Sequence, residues 1–273
     1  MVDLIARALA LRAMDTVPVD NGPSSIFDVD VSLAYAPNVN NYLDIPCYTG
    51  TSAVHPSVLY FPKGWNGYRY WMAFTPYENT NNQFENPSVV CSHDGQVWVV
   101  PPGVVNPLAP SPGTPGYNSD TVLFMDKDGK TLNLVYREYV PANKGAEERF
   151  YMFQSTDGSN WGNRKLIHVT DAAVVRGMSP AILWTGMQYV MWYVDILMTP
   201  HKVVMKTSDD LVNWSPAVET DIAADAGRQI WHIDIKEYAG VYWALIQDNV
   251  ADGAPGHLYI AKSGDGIHWT RSE

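Results

Sequence analysis

Cysteine is nearly missing from this chain. Cys47 and Cys91 are the only two in 273 residues, so a disulfide framework is not what holds the fold. Each stands beside apolar or small residues, and two buried free thiols are expected. Charge is also sparse, at 17 % of residues, and its balance is negative, with a formal net charge of −11. No run of Lys and Arg offsets that deficit, which argues against nucleic acid as a partner. No apolar stretch approaches the length of a membrane span, so membrane insertion is not expected. Residues 1–14 lack the unbroken apolar core of a signal peptide, because Arg7 and Arg12 interrupt it. HExxH, GxGxxG and a Walker loop are all missing, and Gly177-Met178-Ser179-Pro180 lacks the glycine pattern of a nucleophile elbow.

What the chain has in quantity is aromatic residues and turn formers, with ten Trp, sixteen Tyr and nineteen Pro. They are organised around one stretch that occurs four times: Ser92-His93-Asp94-Gly95-Gln96-Val97-Trp98, and again at Ser155–Trp161, Ser208–Trp214 and Ser263–Trp269. Serine, aspartate two residues on and tryptophan four further are kept in every copy. Asp-Gly between apolar runs is a hairpin-turn signal, and the aspartate can accept backbone N–H bonds within the turn. The spacing of about 55 residues is that of a propeller blade.

Each repeat reads on one plan. A first strand (His55–Phe61, Thr121–Met125, Ala181–Trp184, Ile233–Glu237) meets a tight glycine turn. An aromatic second strand follows, then a third that runs into the signature turn, and the tryptophan opens the fourth. The fold class expected is therefore all-β, a β-propeller of four-stranded antiparallel blades over residues 53–273. Four blades are visible, and the ring is expected to close as five if residues 18–52, a linker with strand-like alternation at Ile26–Leu33, supply part of one. Residues 1–17 read as a short amphipathic helix that serves attachment or oligomerisation.

Up-and-down topology puts the short, repeated turns at one end of the blades and the long, irregular loops at the other. The starts of the innermost strands open onto the loop end, where binding residues concentrate. The candidates there are His55, Glu85, Asp120, Glu138, Asp195, His232, Asp234 and Asp248, with Tyr77, Tyr139, Tyr193 and Trp231 near them. Carboxylates beside aromatic faces suit a sugar, whose hydroxyls bond the acids and whose C–H faces stack on the rings. His232 and Asp234 share one side of a strand and could hold a cation with Asp120. Calcium is the ion considered, although imidazole is a poor calcium ligand; no metal or other cofactor is otherwise assigned.

The signature turn and the Pro-containing strand starts, His55-Pro56-Ser57 and Ser179-Pro180-Ala181, resemble the five-bladed propellers of glycoside hydrolase families 43 and 32/68. The run from His55 to Tyr77, with Glu85-Asn86-Pro87-Ser88 after it, is similar to propeller domains of phage tail and receptor-binding proteins. That second resemblance implies a virion protein, displayed as a homotrimer beside other tail or baseplate proteins, that binds a host cell-surface glycan such as a teichoic-acid-like polymer. The first implies a glycoside hydrolase. Catalysis does not carry over residue by residue, because His55 stands where the hydrolases place their base aspartate. If the chain is an enzyme, Asp120 with Glu138, Asp195 or Asp234 are the carboxylates to consider. The glycan-binding module is the expectation, and the hydrolase is its alternative.

Overall fold

Alternation decides this fold, because the inner strands of the two middle blades (Tyr117–Met125, Leu132–Val140, Gly177–Trp184 and Tyr189–Asp195) are buried on both faces and each face belongs to a different interface. A computed structural model describes residues 43–141, 145–249 and 256–272. The expected N-terminal helix, the linker and the Ile26–Leu33 strand lie outside the described residues. What is described is all-β: four antiparallel sheets, each with its four strands in sequence order. The first sheet comprises β1 (Ala53–Trp65), β2 (Tyr68–Pro76), β3 (Ser88–Ser92) and β4 (Trp98–Val99). The second holds β5 (Tyr117–Met125), β6 (Leu132–Val140), β7 (Glu147–Ser155) and β8 (Gly162–Asp171). The third holds β9 (Gly177–Trp184), β10 (Tyr189–Asp195), β11 (Lys202–Ser208) and β12 (Val218–Glu219), and the fourth β13 (Gln229–Tyr238), β14 (Val241–Asn249), β15 (Leu258–Ser263) and β16 (Thr270–Arg271). These are the four expected propeller blades, with β1, β5, β9 and β13 innermost and packed in succession.

Neighbouring residues on a strand point to opposite faces, so one strand serves two interfaces. On β5, Leu123 joins Trp71, Ala73 and Val89 between the first and second blades, while Val122 and Phe124 join Phe150, Met191 and Tyr193 between the second and third. On β10, Trp192 and Val194 turn the other way, toward Ile233, Ala244 and Ile246 of the fourth blade. Trp71, Met72, Leu123, Leu134, Met191 and Trp192 are almost wholly withdrawn from water. Full burial of one such side chain contributes roughly 1.5–3 kcal/mol. Cys91 is part of the first of these interfaces and is a buried free thiol, as expected, whereas Cys47 is free but only half-buried.

The signature turns are built alike. In the first, Asp94 Oδ1 accepts the N–H groups of Gln96 and Val97 at 2.8 and 2.9 Å, and the Ser92 hydroxyl accepts that of Gly95 at 2.9 Å. Trp98 then folds back so that its indole N–H donates to Gly95 O at 3.1 Å, and Trp161 and Trp269 do the same to Gly158 and Gly266. The turns also lock blades together. The backbone of Gly158 sits against Trp71 of the preceding blade, and Gly266 O accepts a bond from Trp192 Nε1 at 2.8 Å. The third copy departs, with Leu211 in the glycine position at φ +63°. Its buried side chain belongs to the apolar cluster between the second and third blades, and Trp214 turns away to donate to Ile167 O instead. Here an apolar side chain at the interface outweighs the roughly 1–2 kcal/mol cost of a left-handed non-glycine residue.

Candidate functional site

The innermost strands are broken at the loop end by an irregularity that recurs in all four blades. Register slips between Val54 and Ser57 on β1, between Ser119 and Thr121 on β5, opposite Trp192 and Val194 on β9, and between Ile230 and His232 on β13. Three of the extra residues adopt left-handed backbone: His55 at φ +52°, Asp120 at +46° and Ser179 at +52°. A bulge re-aims a side chain that an unbroken strand would bury in the sheet. Strained non-glycine backbone of this kind costs on the order of 1–3 kcal/mol and gathers at functional sites. In the third blade the result is structural, since the Ser179 hydroxyl bridges the backbone of Ile233 at 2.9 Å to both its carbonyl and its N–H. In the others the bulges turn side chains toward the axis.

There His55, Asp120 and His232 converge, one ligand atom of each lying within 4.8 Å of the others. Asp120 Oδ1 is 3.6 Å from His55 Nε2 and 3.3 Å from His232 Nδ1. The two imidazoles lie 4.6 Å apart, centroid to centroid. Asp120 Oδ1 and His232 Nδ1 are both buried and neither makes a hydrogen bond. Such orphaned polar atoms are rare in folded proteins, and a bound ion is one of the things that explains them. Two imidazole nitrogens and one carboxylate oxygen are the donor set of zinc and other first-row transition metals rather than of calcium.

Electrostatics prepare two of these groups, His55 and Asp120, and a neighbour, Glu85. Burial, with His232 and Arg137 nearby, pushes the His55 imidazole down to about 4 against the pull of Asp120, so the ring is neutral at pH 7. Burial alone would raise the Asp120 carboxyl, but His55, His232 and Arg137 outweigh it and hold the group well below the usual carboxylate range. Glu85 behaves in the opposite way. Its Oε2 is 3.5 Å from His55 Nδ1, and burial together with the Asp120 charge raises its carboxyl to about 8, so it carries a proton at neutral pH. Two carboxyls with opposite protonation states therefore flank one histidine.

Asp120 is aimed by its neighbour Ser119 and by residues that sequence reasoning missed. Its Oδ2 accepts from the Ser119 hydroxyl at 3.0 Å and from Arg137 Nη1 at 3.3 Å, which leaves Oδ1 facing the imidazoles. Arg137, on β6, is buried and held by both oxygens of Glu148 on β7, at 2.8 and 3.0 Å. Glu148 in turn accepts from Arg176 Nε at 3.0 Å, and the Arg176 guanidinium lies 4.8 Å from the Tyr139 ring. This chain of polar contacts joins all four blades, from Arg176, just ahead of β9, through the second blade to His55 in the first and His232 in the fourth.

The remaining predicted residues are not brought to this cluster. Glu138 lies within β6 and is held by Arg149 and Arg164 at 3.2 and 3.4 Å. Asp195 ends β10 and accepts the backbone N–H groups of Arg176 and Leu197. Asp248, within β14, is clasped by Arg228 and also takes bonds from Tyr259 and the His257 backbone, a fully engaged structural carboxylate. Asp234 lies two residues along β13 from His232 and pairs with Lys236 Nζ at 2.7 Å, while Lys236 also reaches Ser57 across the axis. Two concavities lie away from the cluster. One of about 630 Å³, beside Trp161, and one of about 240 Å³, beside Trp269, both sit near signature turns.

With this geometry in hand, the relatives can be weighed. No family profile matches the sequence. A curated relative is an A-type blood N-acetyl-α-D-galactosamine deacetylase from Flavonifractor plautii. It is 26 % identical over 302 aligned positions that take in 90 % of this chain and 38 % of the relative. The chain thus spans well under half the length of that protein. Among solved structures, an N-acetylgalactosamine deacetylase from F. plautii in complex with blood group B trisaccharide superposes with a TM-score of 0.77 at 22 % identity, over 85 % of this chain and 73 % of that one. A thermostable family-43 glycoside hydrolase gives 0.57 at 13 % identity over 85 % and 80 %, and an α-L-arabinanase from Penicillium chrysogenum 0.55 at 16 % over 82 % and 67 %. These superpositions show a shared propeller fold. The expectation of a phage tail receptor-binding module is overturned, because the sequence relative is a deacetylase and these structural relatives are enzymes. The run from His55 to Tyr77 that suggested it describes one blade and the edge of the site, and a shared blade does not carry a shared role.

Proposed function

We propose that this chain is a carbohydrate-active hydrolase that removes the N-acetyl group of an amino sugar, with His55, Asp120 and His232 as its centre. The observation that carries this reading is the convergence of two histidines and an ionised aspartate, with Asp120 Oδ1 and His232 Nδ1 buried and without a hydrogen bond. The deacetylase relative supports the substrate class, an N-acetylated hexosamine such as galactosamine. The donor set fits a divalent transition metal, which would polarise the amide carbonyl and acidify water there. In this reading His55 stays neutral and keeps its lone pair available, and Asp120 supplies the negative charge. Protonated Glu85, beside His55, is placed to give a proton to the departing amine and so acts as the general acid.

Calorimetric titration of chelator-stripped protein with zinc and manganese tests the centre. The wild type is expected to bind one equivalent. Asp120→Asn, which keeps the shape and removes the charge, is expected to lose about tenfold or more in affinity and nearly all acetate release. Metal binding that is unchanged in Asp120→Asn would refute the assignment.

A second reading rests on the two carboxyls. Protonated Glu85 and ionised Asp120 have the opposed states of a glycosidase acid and base, and the family-43 relative breaks glycosidic bonds by name. The two readings part on which bond is broken.

A further inference from the structure

Trp231 stands immediately before His232 on β13, and on an unbroken strand the two side chains would point to opposite faces of the sheet. They do not. The register slip between Ile230 and His232 makes Trp231 the extra residue of the bulge, and its indole lies 6.0 Å from the His232 ring, edge to face at 81°. Behind it, His201 from the loop between β10 and β11 stacks on the indole at 5.9 Å and 30°. His201 is itself pinned, since its Nδ1–H donates to Ile230 O at 2.9 Å, one residue before Trp231. The indole is thus braced from one side, only partly buried, and set beside one of the three converging groups. Neither the core nor the ion-pair chain uses it.

We infer that Trp231 is the stacking platform for the sugar ring, backed by His201 as a positioning residue, and that it presents the acylamino group to the His55–Asp120–His232 centre. The inference rests on the proposed amino-sugar reading and names the subsite within it. The chemistry that selects a sugar is the pairing of a polarised C–H face with the indole π-face. A brace that fixes the ring beforehand lowers the ordering cost of binding. An aromatic anchor of this kind governs affinity more than the chemical step, so its loss should appear in KM rather than kcat.

The test compares wild type, Trp231→Ala, Trp231→Phe and His201→Ala for turnover and for calorimetric binding of the methyl glycoside of an N-acetylated hexosamine, with circular dichroism as the check on folding. The expected result is a rise of about tenfold in KM and Kd for Trp231→Ala with kcat little altered, recovery of most of the affinity in Trp231→Phe, and an intermediate loss for His201→Ala. Wild-type affinity in folded Trp231→Ala would overturn the platform, as would a loss confined to kcat. If the wild type binds the glycoside through Trp231 but releases no acetate, the platform stands and the deacetylase reading falls. A wild type that neither binds nor turns over the glycoside overturns both.

Discussion

Arg137 shows how a single residue sets the site's electrostatics from behind, through the Asp120 oxygen that does not face the imidazoles. A guanidinium this deeply buried is tolerated because Asp120 and Glu148 flank it, and removing it strands both carboxylates in the interior. Arg137→Met is expected to destabilise the fold by about 3–5 kcal/mol, read from urea unfolding. Wild-type stability in this variant would mean that the carboxylates find other partners. A second residue is informative for pH. His168 is enclosed by Phe150, Tyr193 and Trp214, its Nε2 has no partner, and burial, helped by Lys206, lowers its imidazole to about 4. The unfolded chain binds this proton near pH 6.5 and the folded chain only near 4, so between those values the unfolded state holds more protons and stability falls as pH falls. His168→Phe should therefore lose on the order of 1–2 kcal/mol less than wild type between pH 7 and 5, seen as a flatter plot of Tm against pH. An unchanged slope would show that other groups set the acid sensitivity.

At the scale of the element, the signature turn fixes backbone and interface together, and comparing its glycine with one in the turn between β1 and β2 separates the two roles. A Cβ on Gly158 would fall 2.1 Å from Trp71 Cη2, at φ +72°, whereas one on Gly67, at φ +87°, would meet nothing within 4 Å. Gly67→Ala should cost about 1 kcal/mol from backbone strain alone. Gly158→Ala should cost at least about 2 kcal/mol more, because Trp71 cannot move within a packed interface. Equal losses in thermal unfolding would mean that the turn does not hold the blades together. The turn was the most legible feature of the sequence, since its Ser, Asp and Trp form bonds within seven residues and recur four times. The strand-start positions were legible for the same reason, and they yielded His55, Asp120 and His232. Arg137 and Glu148 were not legible. Arg137 sits near the end of a strand that reads as apolar, and Glu148 in a stretch that reads as loop but begins β7. Their importance comes from pairing across strands, which no local pattern encodes. Glu138, Asp195 and Asp248 were singled out because they are acidic and lie at the loop end, but each is held by nearby cations or backbone N–H groups instead of facing the axis.

Across the molecule, four blades each give one strand start to a common axis, and the site exists only where those starts meet. His55 comes from the first blade, Asp120 from the second and His232 from the fourth, while the third blade's Ser179 ties its strand start to Ile233. A change that loosens blade packing, such as Gly158→Ala, should therefore weaken the centre from a distance. The fold was readable from repetition, whereas the phage-tail reading failed, because the resemblance behind it lay in a single blade while the candidate site draws on three. The central claim concerns which bond this assembly breaks. The most direct measurement incubates the protein, supplied with a divalent transition metal, with an oligosaccharide bearing an N-acetylated hexosamine, and assays free acetate and new reducing ends in the same sample. The account predicts acetate with the glycosidic bonds intact; new reducing ends without acetate would contradict it.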